Sequence, residues 1–288
     1  MNTDTPLPQE EPAGQNPPDG AIIDYYLNAD AKSVVSLEIL DATGKIVRKY
    51  KSNDEPYPIP PVNIPLYWIR PQQILSAAKG AHRFIWDLHT QPLALQPAYA
   101  IAAIYGQTAP EPTSPWVMPG TYTVKLTVDG KSFTQPLVVK MDPRVKTPLI
   151  ELKKQYDLSD KCYRQFKQAA KEADKLHSVQ IQAEKLLPNA GGALAAALKK
   201  TIADARTLEN GAPGSKADSF KSVKNSFLGL MNLMQESDMP VTSQAALTLS
   251  QADRSFNGLS LKFNSFKDEN LKLLNDQLAK AGIGKIAL

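Results

Sequence analysis

Proline is distributed unevenly along this chain and divides it into two regions with different secondary-structure preferences. Of the 288 residues, 23 are proline, and most of these precede residue 147. From residue 147 to residue 288, helix-forming residues dominate and proline nearly vanishes. Because proline lacks a backbone N–H and breaks helix interiors, long helices are excluded from the first region and favoured in the second. The pattern predicts a protein with one β domain and one α domain.

The first region, residues 20–142, shows the alternating pattern of short strands separated by turns. ATGK (42–45) and Asp129-Gly130 are tight-turn sequences, and each predicts a hairpin between its flanking strands. The segments predicted as strands are AIIDYYL (21–27), SVVSLEILD (33–41), IVRKYKS (46–52), HRFIWDL (82–88) and the two arms of 118–142.

The second region, residues 148–288, follows a predicted linker at 143–147 and shows helical spacing of apolar residues. Helices are predicted over 148–187, with a bend or break near Leu158–Asp160, and over 192–209. Ser215 is expected to cap a third helix, and Thr242 or Ser243 a long last one. Long helices joined by short connections predict an antiparallel α-helical bundle.

Residues 1–19 are rich in proline and contain few apolar residues, which predicts a disordered leader. The leader lacks the basic start and apolar run of a signal peptide. No stretch approaches the roughly 18 apolar residues of a membrane span. The net charge of +4 gives no reason to expect nucleic acid, and the single cysteine excludes an internal disulfide. Neither a cofactor nor a metal ion is expected.

Two proline-rich loops, predicted at 53–71 and 89–117, carry most of the candidate contact residues. Loops of this length are uncommon in compact domains and often bind a partner. Their aromatic side chains could anchor a protein interface, stack on sugars, or simply cover the edges of the β domain. The candidate surface consists of Tyr57, Tyr67, Trp68, Tyr99, Tyr105 and Trp116.

The stretch HRFIWDL, with His89 just after it, raises a catalytic alternative. His82, Asp87 and His89 are residue types that serve as acid, base or metal ligand. Strand alternation argues against this, because it places His82 with Phe84 and Trp86 and puts Asp87 and His89 on the opposite face. The structural interpretation is that Asp87 accepts hydrogen bonds from backbone N–H groups of the following loop.

Three blocks of the β region together resemble a known family. These are SVVSLEILDATGKIVRKYKS (33–52), GAHRFIWDL (80–88) and the stretch from PGTYTV to DPRVK (119–146). They resemble the C-terminal region of bacterial sortilin-like "glycosyl hydrolase" proteins with BNR/Asp-box propellers. Their order is also similar to the Ig-like domain of flagellar hook-capping proteins. The resemblance covers about residues 20–150, and it implies an Ig-like β-sandwich (20–142) followed by the helical bundle.

The chain departs from that family in having no Asp-box of the form S-x-D-x-G-x-x-W. The chemistry ascribed to the propeller is therefore not carried over, and the resemblance implies an accessory region. We expect a non-catalytic interaction or architectural module that docks to a β-propeller or another envelope protein. A carbohydrate-binding accessory module is the alternative. The resemblance also implies export to the periplasm or outside the cell, while the sequence itself leaves the compartment open.

Overall fold

The computed structural model describes residues 17–100, 106, 108–215 and 217–288. Most of the predicted leader, 1–19, lies outside the described residues. The chain divides into two compact units, Met1–Tyr156 and Asp157–Leu288. Small antiparallel sheets form the N-terminal half and long helices the C-terminal half, so the predicted β and α content is confirmed.

Six strands, among the described residues, form two antiparallel sheets. They are β1 (Ala21–Leu27), β2 (Ser36–Leu40), β3 (Ile46–Lys51), β4 (Gly80–Trp86), β5 (Gly120–Val128) and β6 (Lys131–Val139). One sheet pairs β1 with β4, and the other has the order β3-β2-β5-β6. Each strand lies at, or within a few residues of, a segment predicted from alternation. The β5–β6 turn places Asp129 and Gly130 at φ +48° and +78°, as a two-residue turn of type I′ requires.

A single apolar cluster draws side chains from both sheets. Alternation along each strand turns every second residue toward this core. Trp86, Leu37 and Ile39 are fully buried in it. The buried members are Leu37, Ile39, Leu75, Phe84, Trp86, Tyr122 and Val124.

The strand order leaves β3 and β6 at the two edges of the larger sheet. At β3, the backbone N–H of Gln91 donates to the Val47 carbonyl at 3.0 Å. The Gln91 side-chain oxygen accepts from the backbone N–H of Lys49 at 3.3 Å. At β6, Pro136 lies within the strand and has no N–H to offer.

Four long helices and a shorter fifth make up the helical half. They are α1 (Leu149–Leu186), α2 (Gly192–Asn210), α3 (Phe220–Gln235), α4 (Ser243–Ser265) and α5 (Lys272–Lys280). A π-helical turn, Phe266–Leu271, joins α4 to α5. Helix α1 continues without interruption through Leu158–Asp160, so no break occurs at the predicted point. No helix of the described residues has the length and apolar character needed to cross a membrane.

The N-terminus of α3 differs from the prediction. Ser219, not Ser215, caps the helix, and it forms a capping box in which the Ser219 and Ser222 side chains each bond the other's backbone N–H. Ser219 is favoured because its partner stands three residues later, at the spacing that satisfies two free N–H groups. The predicted cap of α4 at Thr242 is confirmed, since its side chain accepts from the backbone N–H of Ala245.

Helices α3 and α4 pack through phenylalanine rings. Phe220 contacts Phe256 and Phe263 edge-on, and Phe227 contacts Phe256 in the same way, with centroids 6.0–6.4 Å apart. Edge-to-face pairs at this distance add to the stability gained from burial alone. The predicted stripe along α3 therefore packs into the core of the helical unit.

Candidate functional site

Two long loops carry the aromatic residues predicted as a contact surface, the first over residues 52–79 and the second over residues 87–119. Tyr57, Tyr67 and Trp116 are exposed. Tyr99 is half-buried, and Tyr105 lies outside the described residues. The loops are bonded to each other at Thr108, whose N–H donates to the Trp68 carbonyl and whose carbonyl accepts from the Arg70 N–H, both at 2.9 Å.

Trp68 does not belong to the exposed set. It closes a one-turn 3₁₀ helix, Leu66–Trp68, and only 8% of its surface is exposed. It packs with Ile64 and Ile69 in a small apolar cluster. Because successive residues of a 3₁₀ turn point about 120° apart, Tyr67 faces outward while Trp68 faces inward. The prediction that Trp68 is a surface residue is wrong, and its role is to anchor the first loop.

The position of His89 also differs from the alternation argument. Strand β4 ends at Trp86, and Leu88 adopts the left-handed conformation with φ +59°. This turn reverses the side-chain direction, so His89 is buried rather than facing away from the core. The Trp86 indole Nε1–H donates to the His89 carbonyl at 2.9 Å. The end of β4 is thereby tied to the start of the second loop.

The hydrogen bonds of His89 define its tautomer. Its Nδ1 lies 2.8 Å from the Asp87 carbonyl oxygen, which can only accept, so Nδ1 carries the proton. Its Nε2 is buried without a hydrogen-bond partner. Burial lowers the pKa of His89, opposed by the nearby Asp87 carboxylate. The ring is therefore neutral near pH 7. The Trp116 ring contacts it with centroids 3.9 Å apart and the ring planes tilted by 38°.

Asp87 bonds as the structural interpretation predicts. Its Oδ1 accepts from the backbone N–H of His89 at 3.1 Å, which confirms the predicted bond to the following loop. Its Oδ2 lies 3.8 Å from a terminal nitrogen of Arg48. Half of the side chain is exposed to solvent, so this ion pair contributes little to stability.

Arg48 is the residue that sequence reasoning missed. It lies on edge strand β3 opposite Ile39, on the face that turns toward the core. One terminal nitrogen donates to the Thr90 carbonyl at 3.0 Å, and its guanidinium lies 4.8 Å from the Tyr50 ring. The Nε atom is buried without a partner. The sequence does contain evidence for this position of Arg48. Pairing 33–41 with 46–52 in a hairpin places Arg48 opposite a residue that faces the core.

We call Arg48, Tyr50, Asp87, His89 and Trp116 the Arg48–His89 cluster. Tyr57 lies near this cluster. Its pKa is raised to about 12, mainly by partial burial and secondly by the neighbouring Tyr99 phenol. Burial also raises the pKa of Tyr50. Both phenols therefore remain protonated near pH 7, and neither supplies a nucleophilic oxyanion. They can donate hydrogen bonds and present ring faces.

The structure does not bring His82, Asp87 and His89 together. His82 lies four residues before the end of β4, about 13 Å along the strand from Trp86. Its Nε2 bonds the Ala78 carbonyl at 2.7 Å, and its ring contacts Tyr25. No group of three or more histidine, cysteine or acidic residues suited to a metal ion occurs among the described residues.

Cys162 is the other residue with nucleophilic chemistry, and it lies in α1. It is fully buried, and burial raises the pKa of its thiol to about 12. The thiol is therefore protonated and inaccessible, as expected for a small core residue.

Comparison of the chain with protein-family models, with curated proteins and with solved structures found no match.

Proposed function

We propose that the chain is a non-catalytic interaction module that docks to another protein through its first long loop. The observation that carries this proposal is a set of large apolar side chains on one loop that are between 38% and 66% exposed. They are Tyr57, Ile59, Leu66, Tyr67 and Ile74. Burying such side chains against a partner releases about 25 cal/mol for each Å² removed from water.

The loop presents these side chains on a supported backbone. Trp68 fills the small cluster beneath Leu66 and Tyr67, and the Gln72 amide bonds both the N–H and the carbonyl of Tyr57 at 3.0 and 2.8 Å. A surface that is already ordered loses less conformational entropy when it binds. This support distinguishes the loop from one that is merely exposed.

A carbohydrate-binding module remains the second candidate. Its supporting observation is Trp116, which is exposed and in ring contact with His89, with the half-exposed Asp87 carboxylate in the same cluster. A ring face beside polar groups is a surface on which sugars can stack. Ile59, Leu66 and Ile74 favour the protein partner, because aliphatic side chains offer a sugar neither a flat ring nor a hydrogen bond.

The family resemblance suggests the identity of the partner. We propose that the β unit is an Ig-like sandwich of the flagellar hook-capping type, that the helical unit is an antiparallel bundle, and that the partner is a β-propeller or another envelope protein. The apolar cluster shared by both sheets and the phenylalanine contacts of α3 with α4 support this description. In this proposal the chain is an accessory region of an exported sortilin-like protein.

Site-specific crosslinking in the native cells tests the docking surface. A photoreactive phenylalanine at Leu66, which is 66% exposed, should crosslink to one protein, whereas the same group at Tyr26, 63% exposed on β1, should not. The Leu66→Asp variant should then lose the complex while keeping the melting temperature of the parent. Equal crosslinking from both positions would contradict the proposal.

The same variants separate the two candidates. If the chain binds carbohydrate, Trp116→Ala should abolish its cosedimentation with an insoluble polysaccharide such as peptidoglycan or cellulose, and Leu66→Asp should leave it unchanged. Immunoblotting against residues 147–288 then shows whether the partner is in the same polypeptide. A band much larger than 31.5 kDa would show that the chain is part of a longer polypeptide, as a propeller in the same chain requires.

A further inference from the structure

The segment after α5 lies in an extended conformation against the helical unit. Helix α5 ends in a Schellman motif, with Gly282 at φ +72° and the Ile283 N–H donating to the Leu278 carbonyl at 2.9 Å. Residues 283–288 then contain no helix or strand. Within them Ile286 is 4% exposed, whereas its neighbours Lys285 and Ala287 are exposed. The segment is therefore held by one apolar anchor.

Two side-chain amides bond the backbone of consecutive residues in this segment. Asn275 of α5 accepts from the Ile286 N–H at 2.8 Å and donates to its carbonyl at 3.0 Å. Gln182 of α1 accepts from the Ala287 N–H at 2.9 Å and donates to its carbonyl at 2.8 Å. In an extended chain successive residues direct these groups to opposite sides, so the two amides hold the segment from both sides.

These contacts are of the kind by which proteins hold an extended peptide. A carboxamide that hydrogen-bonds both the N–H and the C=O of one residue makes the same contacts as a neighbouring β-strand. It recognises the peptide backbone and not the side chains. The four hydrogen bonds at Gln182 and Asn275 contact only backbone groups, so they do not depend on the side chains of the segment. Only the buried position of Ile286 distinguishes one side chain from another, and it holds an aliphatic one.

We propose that α1 and α5 form a groove for an extended peptide of another protein, and that residues 283–288 are its internal competitor. We call this groove the Gln182–Asn275 groove, after the two side-chain amides that line it. Its ligand is an extended peptide with isoleucine or a similar aliphatic residue at the anchor position. The backbone N–H and C=O groups of the anchor residue and of the next residue must be free to form hydrogen bonds. Gly282 and Gly284 flank Ile283, so the internal segment can leave without moving α5. This site is separate from the docking loop, and its test does not depend on that proposal.

The test uses the full chain and the synthetic peptide Gly-Ile-Gly-Lys-Ile-Ala-Leu, which has the sequence of residues 282–288 and carries a fluorophore at its N-terminus. The Ile286→Asp variant removes the internal anchor and should release the segment. Fluorescence anisotropy should then show saturable binding at least about tenfold tighter than to the parent chain, because an occupied groove lowers the apparent affinity. A peptide with its second isoleucine changed to lysine should not bind.

The matched control is Gln182→Glu combined with Ile286→Asp. This change keeps the size of residue 182 but sets a carboxylate oxygen against the peptide carbonyl, so the peptide should bind at least about tenfold more weakly. If Ile286→Asp retains the helical circular dichroism of the parent and binds no peptide, the proposal fails.

Amide hydrogen exchange of the unmodified chain gives a second criterion that needs no variant. A displaceable segment should open on its own, so the amides of Ile286 and Ala287 should exchange faster than those of α5. If they exchange only together with the core of the helical unit, the segment is a fixed part of the fold and the groove is not a binding site.

Discussion

The geometry of the Arg48–His89 cluster depends on the backbone of Leu88. A leucine at φ +59° is strained by roughly 1–2 kcal/mol, since its Cβ approaches the following carbonyl. The turn is compensated by bonds that it makes possible, including those from the Trp86 indole to the His89 carbonyl and from the His89 N–H to Asp87. Leu88 thereby brings a histidine into the interior at the end of β4.

The burial of neutral His89 predicts a pH dependence of stability. The folded pKa is lower than the ordinary value of 6.5, so below about pH 6.5 the unfolded chain binds the proton more readily. This contribution to stability is fully present above pH 6.5 and is lost as the pH falls through the folded pKa. We expect His89→Gln to unfold in urea with a smaller change in free energy between pH 7.5 and pH 5 than the parent.

Carboxylates do not obscure that comparison. Glu38, Asp24, Asp41 and Asp142 have pKa values lowered by their hydrogen-bond partners, and their contribution is common to the parent and to His89→Gln. An identical pH dependence in the parent and in His89→Gln would show that His89 takes up its proton equally well in the folded chain.

The residues of the cluster were predictable only in part. The bond from the His89 backbone to Asp87 follows from the position of an aspartate at a strand end, and it was predicted correctly. The burial of His89 was not, because alternation holds only while the backbone stays extended and Leu88 interrupts it. Trp68 was misplaced for a similar reason, since a single 3₁₀ turn separates two adjacent aromatics into an inward and an outward one.

Among the elements, the β5–β6 hairpin also holds a distant segment of the chain through a residue of its turn. The Asp129 Oδ1 accepts from the backbone N–H groups of Lys32 and Ser33, both at 2.9 Å, and from the Ser33 hydroxyl at 3.0 Å. One turn residue therefore fixes a segment nearly a hundred positions earlier. It also adopts a left-handed conformation that aspartate and asparagine tolerate better than most residues.

We expect Asp129→Ala to lower the free energy of unfolding by about 2 kcal/mol, because it removes the acceptor and strains the turn. Asp129→Asn keeps an acceptor oxygen and tolerates the backbone, so its loss should be less than half as large. Urea titration followed by tryptophan fluorescence measures both variants. Equal losses would show that the negative charge, rather than the acceptor geometry, holds residues 32 and 33.

The sequence predicted which segments form helices and strands better than it predicted the residues at which some of them begin. Periodicity identified β1 over its full range and α1 within one residue at each end. The start of α3 depended on whether Ser215 or Ser219 found a partner three residues later, which is a property of two residues and not of a pattern. The π-helical turn at Phe266–Leu271 was not predicted, since the apolar spacing of α4 simply continues through it.

At the scale of the whole molecule, each compact unit can be followed by its own spectroscopic signal. The three tryptophans, Trp68, Trp86 and Trp116, all belong to the unit Met1–Tyr156. Most helical residues belong to Asp157–Leu288. Tryptophan fluorescence therefore reports on the β unit, and circular dichroism at 222 nm reports mainly on the helical one.

This separation predicts the behaviour of a core variant of the helical unit. Phe227 is fully buried against Phe256, and Phe227→Ala should cost about 3–5 kcal/mol. We expect the thermal transition seen by circular dichroism to move to lower temperature while the fluorescence transition stays in place. If both transitions move together, the two units unfold as one cooperative structure.

The two edges of the larger sheet bear on the behaviour of the protein at high concentration. An open strand edge can recruit a strand of a neighbouring molecule and start a fibril. Gln91 occupies backbone groups of β3, and Pro136 interrupts the donors of β6. Addition of a further strand is thus obstructed at both edges of the larger sheet.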